Sequence, residues 1–125
     1  AVVTAILGRH GFNQSLSYKL NLGTEPAPSR AGDGEADAVR FDTSYLFRLA
    51  PERYSATAQA ATYLTLEANG LYETNGDVEV LAGPGLLYEA PGFAVEVQAG
   101  FPVWQEVDDR AKVRWSVTVG VRWLF

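Results

Sequence analysis

Nine charged side chains are spaced so that they can share one surface. Lys19, Arg40, Asp42, Arg48, Glu67, Glu79, Glu96, Arg114 and Arg122 each fall on the polar side of a stretch in which polar and apolar residues alternate. Carboxylates and guanidiniums gathered in this way either line a hydrated passage of mixed charge or pair with one another and fill it, because an isolated charge withdrawn from water is very costly. Other arrangements with chemical potential are weaker. Glu79 and Glu96 supply two carboxylates of the kind glycoside hydrolysis needs, but nothing in their setting favours that use. His10 is the only histidine, which leaves no triad, dyad or imidazole metal site, and its glycine-flanked setting predicts an exposed turn residue. Ser15 and Ser17 lack a neighbouring base, and Gly-Phe-Asn-Gln-Ser-Leu-Ser is not a nucleophile elbow. Asp33, Glu35 and Asp37 alternate in a loop without the glycine placement and distal glutamate of a calcium-binding hand. The expectation is a chain with no catalytic residue, no metal and no cofactor.

Composition narrows the classes further. The 125 residues suit one domain, and 47% hydrophobic content with 12 glycines and 12% aromatics is too apolar for a disordered segment. Fifteen acidic against ten basic residues give a net charge of -5, which argues against a nucleic-acid partner. The absence of cysteine removes disulfides and thiolate chemistry. The absence of methionine, the initiator included, reads as a processed product or a domain cut from a longer chain. Hydropathy averages close to zero, and no run approaches the ~20 apolar residues of a spanning helix, which leaves strands as the only route across a bilayer.

The elements that must position the nine charges are strands. From Val113 to Phe125, Val113, Trp115, Val117, Val119, Val121, Trp123 and Phe125 alternate with Arg114, Ser116, Thr118, Gly120, Arg122 and Leu124. Successive side chains of a strand point to opposite faces, so one face is Val, Trp and Phe while the other is small, polar or cationic. The same alternation runs over Phe93 to Val103, over Val78 to Glu89 with Leu81 and Leu87 as exceptions, over Val39 to Leu49, and over Leu16 to Leu22. Tyr54 to Tyr72 keeps one parity throughout and reads as a single long strand; Ala1 to Gly8 is a strand of ambiguous facing. The count is seven strands and no helix. Hairpin turns are predicted at Gly8 to Gly11, Ala50 to Glu52, Asn75 to Asp77, Ala90 to Gly92 and Val107 to Asp109, with one long solvated loop from Thr24 to Asp37.

An alternating strand buries its apolar face in a sandwich core or in lipid. Aromatics near the ends of the apolar faces, and glycines (Gly83, Gly85, Gly100, Gly120) among isolated charges on the other, lean toward lipid. So does the expectation of short turns at one end and the long loop at the other. The last eleven residues, Trp115 to Phe125, with a terminal Phe and alternate hydrophobics before it, resemble the C-terminal assembly signal of bacterial outer-membrane β-barrels. Leu81-Ala-Gly-Pro-Gly-Leu-Leu-Tyr88, followed by Val95-Glu-Val-Gln-Ala-Gly-Phe-Pro-Val103, is similar to the end of a barrel family of transporters that includes the meta-pathway phenol-degradation type.

The resemblance implies an antiparallel up-and-down transmembrane β-barrel in the bacterial outer membrane, passing small, hydrophobic or aromatic molecules. It offers no catalytic residue to carry over. Its partners would be the lipid bilayer, the outer-membrane assembly machinery and a small-molecule solute. In that setting the nine charges line the lumen, while Trp115, Val117, Val119, Val121, Trp123 and Phe125 face lipid and form the assembly signal. Bacterial single-chain barrels have even strand numbers, so seven strands predict the C-terminal portion of a larger barrel, completed by upstream strands or by a partner chain. The rival readings are a soluble antiparallel sandwich or lipocalin-like binding module, and a structural barrel with a plugged lumen.

Overall fold

The computed structural model describes residues 1–21, 36–55, 57, 59–108 and 111–123. Seven strands follow one another: β1 (Val2–Leu7), β2 (His10–Lys19), β3 (Ala38–Ala50), β4 (Ala61–Glu73), β5 (Val78–Ala90), β6 (Phe93–Glu106) and β7 (Ser116–Trp123). Each pairs antiparallel with its sequence neighbours, so the sheet has up-and-down order from β1 to β7, with no helix among the described residues. The sheet is open, with β1 and β7 as its edges.

Register turns the local alternation into two continuous faces. Phe41 stands opposite Leu16 and Gly70, Gly70 opposite Val80, and Leu86 opposite Val97, which in turn faces Val119. The apolar set of each strand therefore meets the apolar set of the next. On the other face Ser15, Asp42 and Asn69 lie side by side, as do Leu46, Thr65, Gly85, Gln98 and Thr118. The facing of β1 is settled by the same pairing: Val2, Thr4 and Ile6 share the polar face with Ser15, Asn13 and Gly11, and Val3, Ala5 and Leu7 take the apolar one.

Little of the apolar face is covered. The buried hydrophobic residues are Ala38, Ala61, Leu87, Ala94 and Val107, mostly small, whereas Leu66 is 58% exposed, Val119 64% and Trp123 66%. Leu87, an exception to the alternation, is buried on the polar face opposite Tyr63 and Glu96. Edge strand β1 is apolar and open on both sides, with Val2, Val3, Ile6 and Leu7 all exposed.

Several local expectations are corrected. The first turn is only Gly8 and Arg9, because Gly8 adopts a left-handed φ of 61° that no side chain obstructs, and pairing resumes at Leu7 with His10. His10 is thus a strand residue, and its Nδ1 lies 2.6 Å from the Tyr45 hydroxyl. The segment from Tyr54 to Tyr72 is not one strand: β4 begins at Ala61, and ten residues separate it from β3. Alanines contribute little strand preference, and the chain after Pro51 is drawn back by Arg48, whose Nε donates to the Pro51 carbonyl at 3.0 Å. The connection at Ala50 to Glu52 is consequently not short, and the contrast in loop length between the two ends weakens.

β6 runs on to Glu106 with a bulge, so that Trp104 stands opposite Val80 while Phe101 stands opposite Ala82. Pro102 has no N–H to give to a ladder, and a bulge is where a strand tolerates it. The last strand begins at Ser116 rather than Val113, leaving Arg114 and Trp115 just ahead of it. Leu124, Phe125 and most of the loop from Thr24 to Asp37 lie outside the described residues.

Candidate functional site

The polar face carries two clusters, and different elements build each. The first crosses the middle of the sheet. Asp42 on β3 accepts hydrogen bonds from Ser15 Oγ on β2 at 3.1 Å and from Asn69 Nδ2 on β4 at 2.9 Å, while Arg40 Nε, two residues along β3, reaches its carboxylate at 3.1 Å. Asn69 Oδ1 in turn accepts from Gln98 Nε2 on β6 at 3.2 Å. That last bond spans the whole width of β5. It is possible because Gly83 and Gly85 put no side chain between β4 and β6. A Cβ on Gly83 would sit 1.8 Å from the Ala99 carbonyl oxygen, and one on Gly85 would sit 2.4 Å from Thr65 Oγ1. Glu67 reaches Glu96 across the same glycine trough.

The second cluster lies at the end of the sheet that carries the β1–β2 and β5–β6 turns. Arg9 donates from Nε to the Arg48 carbonyl at 2.9 Å and from Nη2 to the Leu49 carbonyl at 3.2 Å, and pairs with Glu52 at 3.3 Å. Arg48 stacks its guanidinium 4.0 Å above the Tyr54 ring, and the Tyr54 hydroxyl meets that of Tyr63. A cavity of about 220 Å³ opens beside these groups.

The nine predicted charges are therefore placed unequally. Arg40 with Asp42 forms the one ion pair among them within the described residues, and it runs along a strand rather than between strands, with Arg40 well exposed. Glu67 and Glu96 meet; Glu79 accepts from Gln105 Nε2 at 2.6 Å. Arg48 is buried in the second cluster. Arg122 shares a small cavity of about 110 Å³ with Glu96 and Gly120, while Lys19 and Arg114 stand exposed at strand ends. The members that charge alone did not single out are the neutral linkers Ser15, Asn69, Gln98 and Gln105. Their signal was present as amides and hydroxyls on the polar parity of successive strands.

The opposite face contains one polar pair at mid-sheet, and it is closed on itself. Thr43 Oγ1 donates to Gln14 Oε1 at 2.6 Å, and Gln14 Nε2 donates to the carbonyls of Ser15 and Asp42 at 3.1 and 3.2 Å. Aromatic rings gather toward the ends of that face: Tyr88, Phe93 and Trp123 follow one another at 5.9 and 6.0 Å between centroids, with Tyr18, Tyr72 and Trp104 toward the other end. Val117, Val119, Val121 and Trp123 are all more than half exposed there, as is Trp115 just ahead of the strand, and Phe125 lies outside the described residues. No group of three or more metal-ligating side chains occurs among the described residues. Comparison of the chain with protein families, curated proteins and solved structures finds no match.

Proposed function

We propose that this chain is part of a transmembrane β-barrel of the bacterial outer membrane that passes small molecules along its polar face. One observation carries the reading: an apolar face continuous over seven strands stays open while the opposite face is hydrogen-bonded across strands. In water such a face demands a second layer. In a bilayer the lipid is that layer, and the self-satisfied Gln14–Thr43 pair is what a polar side chain needs where no solvent donors exist. Central strands of 13 to 14 residues exceed the about 9–11 that a tilted strand needs to cross. The resemblance of the last strands to outer-membrane transporters agrees in fold and in direction of function. Further strands from upstream or from a partner chain would complete the wall.

Extraction provides the test. The protein is expected to require detergent for a monodisperse state and, once in liposomes, to admit small solutes in a swelling assay. A monodisperse species in aqueous buffer without detergent would instead support the soluble sandwich or binding module. A specific contact favours a second reading, the sealed structural barrel: Tyr54 folds back onto Arg48 and Tyr63 on the polar face. Under that reading wild-type liposomes stay closed to solutes and Tyr54→Ala opens them.

A further inference from the structure

Arg48 is 8% exposed, yet no carboxylate among the described residues lies within ion-pair distance of it. Its Nε is used by the Pro51 carbonyl, and one face of the guanidinium is covered by Tyr54. Neither Nη atom has a hydrogen-bond partner among the described residues, and neither is sealed from solvent, so both stay reachable from the cavity that Arg48 lines. Arg9, the other cation lining the same cavity, is occupied by Glu52 and two backbone carbonyls. A guanidinium largely withdrawn from water without a counter-ion carries a partial desolvation penalty, which a carbonyl and a ring offset only in part. The cavity beside it is the place from which an anion could supply the rest.

We infer that this cavity binds a small organic carboxylate with an apolar body, the carboxylate on Arg48 and the body against Ile6, Leu46, Tyr54 and Tyr63. The lining and the size set the class. Ile6 and Leu46 offer aliphatic surface, the two tyrosines offer ring faces, and about 220 Å³ exceeds the ~150 Å³ that accommodates a benzene-sized molecule, leaving room for a planar carboxylate. A guanidinium fork matches that carboxylate with two parallel N–H donors. Glu89 lines the same cavity but is only half-buried and meets Tyr63, so its charge keeps more contact with solvent than that of Arg48. The inference rests on the channel reading only for its meaning, as a solute class; the binding itself does not require transport.

The test uses the full chain folded in detergent micelles, with benzoate, benzyl alcohol and benzylamine as probes at constant ionic strength, read by calorimetry and by tyrosine ring resonances. Benzoate is expected to saturate one site and to bind at least tenfold more tightly than either isostere. Arg48→Gln is expected to abolish that preference. Should Arg48→Gln fail to fold, Ile6→Trp fills the cavity from an exposed edge-strand position, and is expected to weaken benzoate binding at least tenfold while leaving Arg48 in place. Equal affinity for benzoate and benzyl alcohol, tighter binding of benzylamine, or no saturable benzoate binding to the folded wild type would each overturn the inference. Liposome flux separates the two ideas: benzoate binding without solute passage removes the channel and keeps the site, whereas solute passage without benzoate binding does the reverse.

Discussion

At the residue scale, Asp37 shows how a loop end is fastened to the sheet. Its Oδ2 accepts from the Tyr18 hydroxyl at 2.6 Å and its Oδ1 from the Asn21 amide at 2.8 Å, while its own N–H reaches Thr74 Oγ1 at 3.1 Å. Both donors to the carboxylate favour the ionised form, the Tyr18 hydroxyl most, and hold Asp37 below the usual carboxylate range. A lowered native pKa stabilises the fold above the ordinary carboxylate pKa, and that contribution fades as pH falls through the native value. Tyr18→Phe is therefore expected to move the Asp37 midpoint upward in a carboxyl-carbon NMR titration; an unmoved midpoint would leave Asn21 alone responsible. A glycine supplies the second prediction at this scale. Gly83→Ala drives a methyl into the Ala99 carbonyl and is expected to lose at least about 2 kcal/mol, at the upper part of the usual overpacking range. Gly120→Ala meets nothing nearer than Glu96 Cβ at 3.8 Å and should stay within about 1 kcal/mol of the wild type. Denaturant unfolding from micelles measures both, and equal losses would mean that β5 and β6 can separate to admit the methyl.

At the element scale, β7 tests what each face touches. Val119 stands opposite Val97 and Thr118 opposite Gln98. Val119→Arg is expected to destabilise by ~2–4 kcal/mol if that face lies at mid-bilayer, and Thr118→Arg, on the hydrated side, by far less. Similar penalties measured in liposome unfolding would count against the facing. This parity was legible in the sequence because it depends only on neighbours along the chain: an arginine at 122 between Val121 and Trp123 names its face without knowledge of any partner strand. Features that depend on a partner were not legible. Nothing in Phe101-Pro-Val-Trp104 says that Trp104, and not Val103, stands opposite Val80. The alanines ahead of β4 imitate alternation in the sequence, and only the hold of Arg48 on Pro51 and Tyr54 shows why β4 starts no earlier than Ala61. The candidate site divides the same way. Its polar residues were visible as a set, but the bond from Asn69 to Gln98 required knowing that two glycines lie between them.

At the scale of the whole molecule, the odd number of strands among the described residues constrains how a barrel wall of the kind proposed can close. In an up-and-down sheet of seven, β1 and β7 run in the same direction, so joining them would need a parallel seam in an otherwise antiparallel wall. β1 is also uncharged, with Val2, Ile6, Val3 and Leu7 exposed on both faces. A free edge of that kind invites pairing with another strand, since it lacks the charges and prolines that usually blunt an edge. Strand direction and edge chemistry together support the proposal that further strands complete the wall. The chain has no cysteine, so Val3→Cys with Val117→Cys gives two unique sites for spin labels on the two edge strands. If the edges met directly, their backbones would lie about 5 Å apart, and the label distances would fall in the range of adjacent strands. Under the barrel proposal the expected outcome in liposomes is a distance distribution centred well beyond that range, with further strands standing between β1 and β7. A short, narrow distribution would show instead that seven strands close on themselves through a parallel seam, and the need for further strands would disappear.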